Sequence, residues 1–367
     1  EAVASTSGQI MPPVLGLAGF IIAVFLNVPY MDVALAGLIP ALLFLSGVTC
    51  GVLVNAYQED LPKLSETIDT EAIKRLLPAF LLSFGVVLFL LLGYYSPSFA
   101  GLLGIVVALV VCPLQGKYKP TRKALFDSFS VGLGLITLLS LLLIAVGPLA
   151  QTFQTTNLAQ RLGMLLSQVV PDSKLLMLTG AMVVSLLLGM GLPTPVAYLV
   201  VALSLVPFIM MTGVEAIVAH FFVFYFAVFS TLTPPVAVSA LAAAKLSGGS
   251  FLGTALDSMK LMLTTFIIPF AFCYHPQLLK FPNIGWEVLP PIALILVLQF
   301  TTSVACYGYF LIRLTWIDRY MFALFTIAGL FLLINWSQIE LLGVAVILVI
   351  IILRLIVLKH RASKIEG

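Results

Sequence analysis

Charged side chains are scarce in this chain. Asp, Glu, Lys and Arg make up 9% of its 367 residues and hydrophobic residues make up 61%, whereas about 25% of the residues in soluble domains are charged. With a mean hydropathy of +1.17, a soluble globular domain is excluded and a polytopic, all-α membrane protein is predicted. The net charge of +3 is small, and the basic residues form short clusters between apolar runs, so no nucleic-acid-binding face is indicated.

Catalytic and metal-binding motifs are missing as well. The sequence contains no His-Glu-x-x-His, no Gly-x-Ser-x-Gly and no pair of carboxylates within its apolar segments, so we do not expect an enzyme. The four cysteines, Cys50, Cys112, Cys273 and Cys306, lack the paired spacing that metal and redox sites use. We expect them to pack as small hydrophobic residues, and we expect no organic cofactor.

What the chain does contain is a series of apolar segments that span or nearly span a bilayer, which takes about 20 helical residues. They cover residues 33–56, 77–95, 98–114, 126–150, 175–211, 214–230, 256–274, 286–312, 320–337 and 340–358. Residues 10–26 and 234–247 have the length of half-helices. Lys and Arg cluster in alternate loops, so those loops and the C-terminus are predicted to be cytoplasmic.

Helix-breaking residues interrupt this pattern three times. The interruptions are Gly189-Met190-Gly191-Leu192-Pro193-Thr194-Pro195, Gly8-Gln9-Ile10-Met11-Pro12-Pro13 and Ser230-Thr231-Leu232-Thr233-Pro234-Pro235. A proline has no amide hydrogen to donate to the carbonyl four residues earlier. The carbonyls predicted to be free are therefore those of Gly8, Gln9, Gly189, Gly191, Ser230 and Thr231. Free carbonyls are hard oxygen ligands that suit sodium.

The same breaks concentrate hydroxyl groups and helix N-termini. The hydroxyls belong to Thr6, Ser7, Thr194, Ser230, Thr231 and Thr233. Half-helix N-termini present unpaired amides and the positive end of the helix dipole, which favours an anion. We therefore predict the solute site at residues 189–195 and the coupling-ion ligands at the other two breaks. A single Pro-Pro pair can also be a simple kink, and re-entrant helices also build channels, so a channel remains an alternative.

A short internal repeat relates two of the breaks. When Pro12-Pro13 is aligned with Pro234-Pro235, Ala34-Leu35 falls on Ala255-Leu256 with a gap of one residue. Basic residues flank the loop of the second copy and not that of the first, which predicts opposite orientations in the membrane. Inverted repeats with broken helices are a recurring architecture of secondary transporters.

This repeat predicts a division of the chain into four parts. Residues 1–56 would be the end of the first repeat, 57–125 scaffold spans and cytoplasmic loops, 126–275 the second repeat, and 276–367 extra C-terminal spans. A first-repeat hairpin corresponding to residues 189–195 would lie before residue 1, so we expect the chain to be truncated at its N-terminus.

Few titratable residues lie near the breaks. His220 could couple transport to protons, but a packed or interfacial histidine is favoured. Glu215 precedes an apolar run and is expected to cap a helix. Asp32 and Asp257 are expected at the membrane interface. A proton-coupled carrier therefore remains a second alternative.

Three motifs carry a specific family resemblance. The residues 1–14, EAVASTSGQIMPPV, the turn Gly189 to Thr194, and the run Phe222 to Phe226 followed by Thr233-Pro234-Pro235 occur in order. They resemble the large membrane subunit of tripartite ATP-independent periplasmic (TRAP) transporters. The closest similarity is to fused permeases that work with TAXI-type binding proteins, and it covers nearly the whole chain.

The resemblance implies an elevator-type importer in a bacterial inner membrane. A transport domain of two hairpins and two broken helices would carry an organic acid together with Na⁺ as the coupling ion. A periplasmic solute-binding protein of the TAXI type would deliver the solute, and a small membrane subunit would be fused upstream or separate. Residues 189–195 would be the second hairpin tip, with Thr6 to Pro13 and Ser230 to Pro235 as the two broken helices.

Two departures from the family pattern concern the ion site. Relatives often have Gly where Ser7 stands, and a small residue followed by Asp where Ser230-Thr231 stands. The absence of that carboxylate leaves the coupling stoichiometry, and the identity of the coupling ion, open.

Overall fold

The computed structural model describes residues 1–61, 69–157, 161, 164–165 and 173–334. Its helices are α1 (Ala2–Thr6), α2 (Gly16–Leu26), α3 (Tyr30–Ala36), α4 (Leu38–Gln58), α5 (Thr70–Leu92), α6 (Pro97–Val111), α7 (Arg122–Thr155), α8 (Lys174–Gly189), α9 (Thr194–Met211), α10 (Ala216–Ser230), α11 (Val238–Ser247), α12 (Phe251–Leu263), α13 (Ile267–Tyr274), α14 (Leu289–Tyr307) and α15 (Trp316–Ile334). Short 3₁₀ turns occupy Ser7–Gln9, Cys112–Leu114, Gly116–Tyr118, Pro276–Leu279 and Trp286–Val288.

The only strands among the described residues are two of two residues each. They are β1 (Tyr309–Phe310) and β2 (Ile312–Arg313), which pair antiparallel between α14 and α15. The described part of the chain is otherwise all-α, as the sequence predicts.

Seven described helical stretches are long and apolar enough to cross a membrane. They are Leu38–Gln58, Thr70–Leu92, Pro97–Leu114, Thr194–Met211, Phe251–Tyr274, Trp286–Tyr307 and Trp316–Ile334. Helices α2 and α3 together form an eighth candidate, bent by 116°. The polytopic class is confirmed, whereas the predicted last span, 340–358, lies outside the described residues.

The apolar segment 175–211 forms a helical hairpin. Helix α8 ends at Gly189, α9 begins at Thr194, and the two helices pack against each other. The chain reverses at Gly191, which has a φ of +77°, a backbone conformation that glycine adopts without the steric cost of a side chain.

Two broken units share one order of elements. The first runs from α1 through a Pro-Pro break to α2, then to α3 and α4, and the second runs from α10 through a Pro-Pro break to α11, then to α12 and α13. Both Pro-Pro peptide bonds are cis. The half-helices begin later than the predicted 10 and 234, at Gly16 and Val238, because the prolines and the residues after them belong to the breaks.

Helix α10 occupies the centre of the protein. Every residue from Val218 to Ser230 is buried, and α10 contacts α2, α8, α9 and α13. Its aromatic residues pack on one another and on neighbouring helices, as in the pair Phe222 and Phe270, whose ring centroids are 5.5 Å apart. This core presents the last residue of α10, Ser230, to the hairpin.

Candidate functional site

The three sequence breaks meet around one cavity of about 490 Å³. Its lining residues from the first broken unit are Gln9, Leu15, Gly16, Leu17 and Ala18; those from the hairpin are Gly191, Leu192, Pro193, Thr194 and Pro195; those from the second broken unit are Phe224, Thr231, Val238 and Ser239. The cavity therefore lies where the hairpin tip faces both half-helices.

The hairpin turn is closed by its own backbone. The Leu192 amide donates to the Gly189 carbonyl at 3.2 Å, and the amides of Val196 and Ala197 donate to the Pro193 carbonyl at 2.9 and 3.0 Å. The prediction of a free Gly189 carbonyl is therefore wrong, because the turn supplies an amide from three residues ahead. For the Gly191 carbonyl, the residue four positions later is Pro195, which has no amide hydrogen to donate.

Thr194 is the first residue of α9 and lines the cavity. Its side chain is 7% exposed, and among the described residues its hydroxyl has no hydrogen-bond partner. Pro195 has no amide hydrogen, and the amides of Val196 and Ala197 already donate to Pro193, so of the first four positions of α9 the Thr194 amide is the one left for a ligand. Thr194 thus offers the cavity a buried hydroxyl beside the positive end of the helix dipole.

The second break replaces the donors that its prolines remove. The Ser239 amide donates to the Thr231 carbonyl at 3.0 Å, and the Thr233 amide donates to the Ser230 carbonyl at 3.3 Å. The prediction that the Ser230 and Thr231 carbonyls are free is therefore wrong. The chain folds back after Pro235, and this brings a later amide to the orphan oxygen.

Hydroxyl groups remain available at this break as oxygen ligands. Thr231 Oγ1 donates to the Val228 carbonyl at 2.8 Å, and Ser230 Oγ donates to the Ala227 carbonyl at 2.7 Å. Ser239 Oγ donates in turn to Thr231 Oγ1 at 3.2 Å. Because the threonine proton is directed at the backbone, the Thr231 oxygen is an acceptor, which bonds Ser239 and keeps one further lone pair.

The first break is held by a tyrosine. Tyr30 Oη donates to the Pro13 carbonyl at 2.7 Å and accepts from the Leu15 amide at 3.1 Å. The hydroxyls of Thr6 and Ser7 each donate to the carbonyl three residues earlier, at 2.6 Å. Pro12 and Pro13 have no amide hydrogens, so neither can donate to the carbonyls of Gly8 and Gln9.

The predicted site residues divide into two groups. Those that line the cavity are Gln9, Gly191, Leu192, Pro193, Thr194, Pro195 and Thr231. Those that belong to the same breaks but lie outside its lining are Thr6, Ser7, Gly8, Pro12, Pro13, Gly189, Met190, Ser230, Thr233, Pro234 and Pro235. A backbone hydrogen bond links the two groups, because the amide of Leu192 in the first donates to the carbonyl of Gly189 in the second at 3.2 Å.

Sequence reasoning missed the part of the cavity formed by the half-helices themselves. Ser239, Gly16 and Phe224 line the cavity, and none of them lies in a helix-breaking motif. Gly16 and Ser239 lie in the first turns of α2 and α11, the half-helix N-termini that the sequence indicates as anion-binding ends, whereas Phe224 lies within α10, before its break.

No charged residue lines the cavity. Among the described residues, no group of three or more His, Cys, Asp or Glu side chains could hold a metal ion. The nearby His220 is buried, and its Nδ1 is 2.7 Å from Tyr198 Oη. This packed histidine matches the favoured prediction.

Glu215 and Asp32, the carboxylates at the starts of α10 and α3, lie outside the cavity lining. Glu215 is the N-cap residue of α10, as predicted, although its side chain makes no capping hydrogen bond and pairs with Lys280 at 3.4 Å. Asp32 accepts from Tyr94 Oη at 2.9 Å, and this hydrogen bond raises the pKa of Tyr94.

Comparison with known families identifies the chain. Residues 1–282 match the model of the family described as "Tripartite ATP-independent periplasmic transporter, DctM component". The chain belongs to this family. A comparison with curated proteins gives no match. The DctM match includes both broken units and the hairpin, so every residue lining the cavity lies within it.

Proposed function

We propose that this DctM chain is the permease subunit of a secondary transporter that imports an organic acid together with Na⁺. The observation that carries the proposal is the convergence of three helix breaks on one uncharged cavity. Broken helices around a midplane site are the means by which secondary transporters bind solutes and ions.

The cavity has donors suited to a carboxylate. Thr194 supplies a buried hydroxyl at the N-terminus of α9, and Gln9 supplies a side-chain amide. Anions bind at helix N-termini through unpaired amides and the dipole. A carboxylate at Thr194 would therefore be stabilised without a lysine or arginine in the lining.

Oxygen atoms suited to a cation lie on the two broken units. Thr231, which lines the cavity, has an acceptor oxygen. The Gln9 carbonyl has no helical donor, because the residue four positions later is Pro13, which has no amide hydrogen. Sodium is favoured over a proton because no residue that titrates near neutral pH lines the cavity. Without a carboxylate at Ser230-Thr231, the ion would be bound by neutral oxygens.

The partners and the mechanism follow from the family. The family description names a tripartite periplasmic transporter, from which we infer a periplasmic solute-binding protein and a small membrane subunit, fused or separate. The TAXI type of binding protein, the elevator mechanism, the bacterial inner membrane and the four-part division at residues 56, 125 and 275 belong to the same proposal.

The test is uptake by the complete permease in proteoliposomes. Labelled succinate, glutamate and sialic acid would each be offered with and without the binding protein, under an inward sodium gradient, a proton gradient or neither. We expect uptake that requires both the binding protein and sodium. Uptake driven by protons alone would favour a proton-coupled carrier, and a current independent of the binding protein would favour a channel.

A further inference from the structure

The helices α14 and α15 lie beyond residue 282, where the match to the family ends. Helix α14 packs along α4, and α15 packs along α14 and contacts α13. In the shared order of the two broken units, α3 corresponds to α12 and α4 corresponds to α13. The added pair therefore connects equivalent spans of the two units.

A buried glutamine joins α14 to α4. Gln299 is 1% exposed; its Nε2 donates to the Leu43 carbonyl at 2.7 Å, and its Oε1 accepts from the Ser46 hydroxyl at 2.8 Å. A polar side chain inside a bilayer must find partners in the protein. Both ends of the Gln299 amide find theirs on α4, so this residue fixes the register between the two helices.

Small residues on α4 allow the close approach. A Cβ on Gly47 would lie 2.8 Å from Gln299 Nε2, so this glycine lets α14 approach; one on Gly51 would collide with the Leu261 side chain of α12 and make only an ordinary contact, at 3.7 Å, with the Tyr307 ring of α14. Two glycines four positions apart are a common feature of tightly packed membrane helices. Between them, Cys50 on α4 lies beside Ser303 on α14.

Two further polar contacts fix α15. The hydroxyls of Thr301 on α14 and Thr326 on α15 are 2.9 Å apart. His275, which follows α13, places its Nε2 2.8 Å from the Leu333 carbonyl. The pair is thus bound to both broken units by buried hydrogen bonds as well as by apolar packing.

We propose that Gln299 is a positioning residue that keeps α14, α15 and α4 together as one rigid body throughout the transport cycle. The pair would brace the two broken units and would not separate from them when the protein changes state. This inference rests on the proposed function, because a transport cycle supplies the change of state.

Crosslinking tests the proposal with one added cysteine. Ser303→Cys faces the native Cys50, in a complete permease whose Cys112, Cys273 and Cys306 are replaced by serine. A protease site inserted after Lys119 separates α4 from α14, so the two fragments stay together on a denaturing gel only when the disulfide forms. The matched control carries Cys50→Ser and should not crosslink.

We expect rapid crosslinking by copper phenanthroline at the same rate with and without Na⁺, and uptake that persists in the crosslinked protein. No crosslinking, a rate that changes with Na⁺, or uptake that is lost on oxidation and regained on reduction would each overturn the proposal. If no variant transports any solute, the proposed function fails, while the crosslinking rate still tests the rigid body.

A second variant tests Gln299 itself. Gln299→Leu replaces the amide by an apolar side chain of similar size and so removes both hydrogen bonds to α4. We expect crosslinking between positions 50 and 303 to slow several-fold and to become dependent on Na⁺. An unchanged, sodium-independent rate would show that Gln299 does not position the pair.

Discussion

Gly189 and Ser230 touch at the ends of α8 and α10, where a Cβ atom on Gly189 would lie 2.5 Å from Ser230 Oγ and 2.8 Å from Ser230 Cβ. The hairpin tip thus rests directly on the residue that opens the second break. A displacement of the hairpin tip must also displace Ser230, because there is no free space between them.

Gly189→Ala should therefore lift the hairpin away from the second break. Overpacking of this kind costs about 1–3 kcal/mol, so we expect uptake to fall by about tenfold or more, with normal expression. Gly85→Ala is the matched control, because no atom lies within 4 Å of a Cβ at that position. Ser230→Gly in the Gly189→Ala background removes the clash and should recover uptake. If the double variant does not recover uptake, the loss in Gly189→Ala does not come from the contact with Ser230.

Thr194→Val should weaken solute binding without affecting the ion. The variant removes the buried hydroxyl at the start of α9, and a hydrogen bond to a charged group contributes about 1.5–3 kcal/mol. We expect KM to rise by roughly 10-fold to 100-fold, while the sodium concentration for half-maximal uptake stays the same. Thr194→Ser should restore the wild-type KM.

The control for this prediction lies at the opposite end of the same helix. Thr212 directly follows α9, is not part of the cavity lining, and donates its hydroxyl to the Ile209 carbonyl at 2.7 Å. Thr212→Val should leave KM unchanged. Equal effects of the two valine variants would indicate a loss of helix stability and not of a solute contact.

Thr231→Val should weaken the binding of the coupling ion. It removes the acceptor oxygen of a residue that lines the cavity, and the Ser239 hydroxyl loses its partner as well. We expect the half-maximal sodium concentration to rise by about tenfold, which corresponds to 1.4 kcal/mol. The control is Thr179→Val, whose hydroxyl donates to the Leu175 carbonyl on α8; sodium activation that is the same in both variants would argue against an ion ligand at Thr231.

Tyr30→Phe should loosen the first break. The phenol hydroxyl bonds both the Pro13 carbonyl and the Leu15 amide, and leaving a buried polar group unpaired costs about 1–3 kcal/mol. We expect a lower Tm of the purified protein in detergent, together with weaker sodium activation. Tyr320→Phe, at a side chain that is 66% exposed, should change neither quantity.

The positions of the breaks could be predicted from sequence because proline and glycine act locally. The adjacent Pro234 and Pro235 remove two amide donors and end a helix, whereas a single proline such as Pro207 stays inside one, and Gly191 permits a turn that needs a positive φ. The convergence of the hairpin tip with Gln9 and Thr231 was expected only through the repeat and the family resemblance. In the structure these residues line one cavity.

The fate of individual carbonyls could not be predicted, because it depends on where the chain returns. The Thr231 oxygen receives the amide of Ser239, eight residues ahead, and no local rule gives that distance. Tyr30 bonds the first break from 17 residues beyond Pro13 for the same reason. Long-range partners of this kind appear only once the half-helices have packed.

The most direct test of the cavity as the transport site is protection of a single cysteine. Ser239→Cys, with Cys50, Cys112, Cys273 and Cys306 replaced by serine, would be labelled by a methanethiosulfonate reagent in proteoliposomes. The acid that the uptake assay identifies would be added with and without Na⁺. We predict that labelling slows sharply only when Na⁺ and the acid are both present. If neither Na⁺ nor the acid changes the labelling rate of a protein that still transports, a solute site at the meeting point of the three breaks is contradicted.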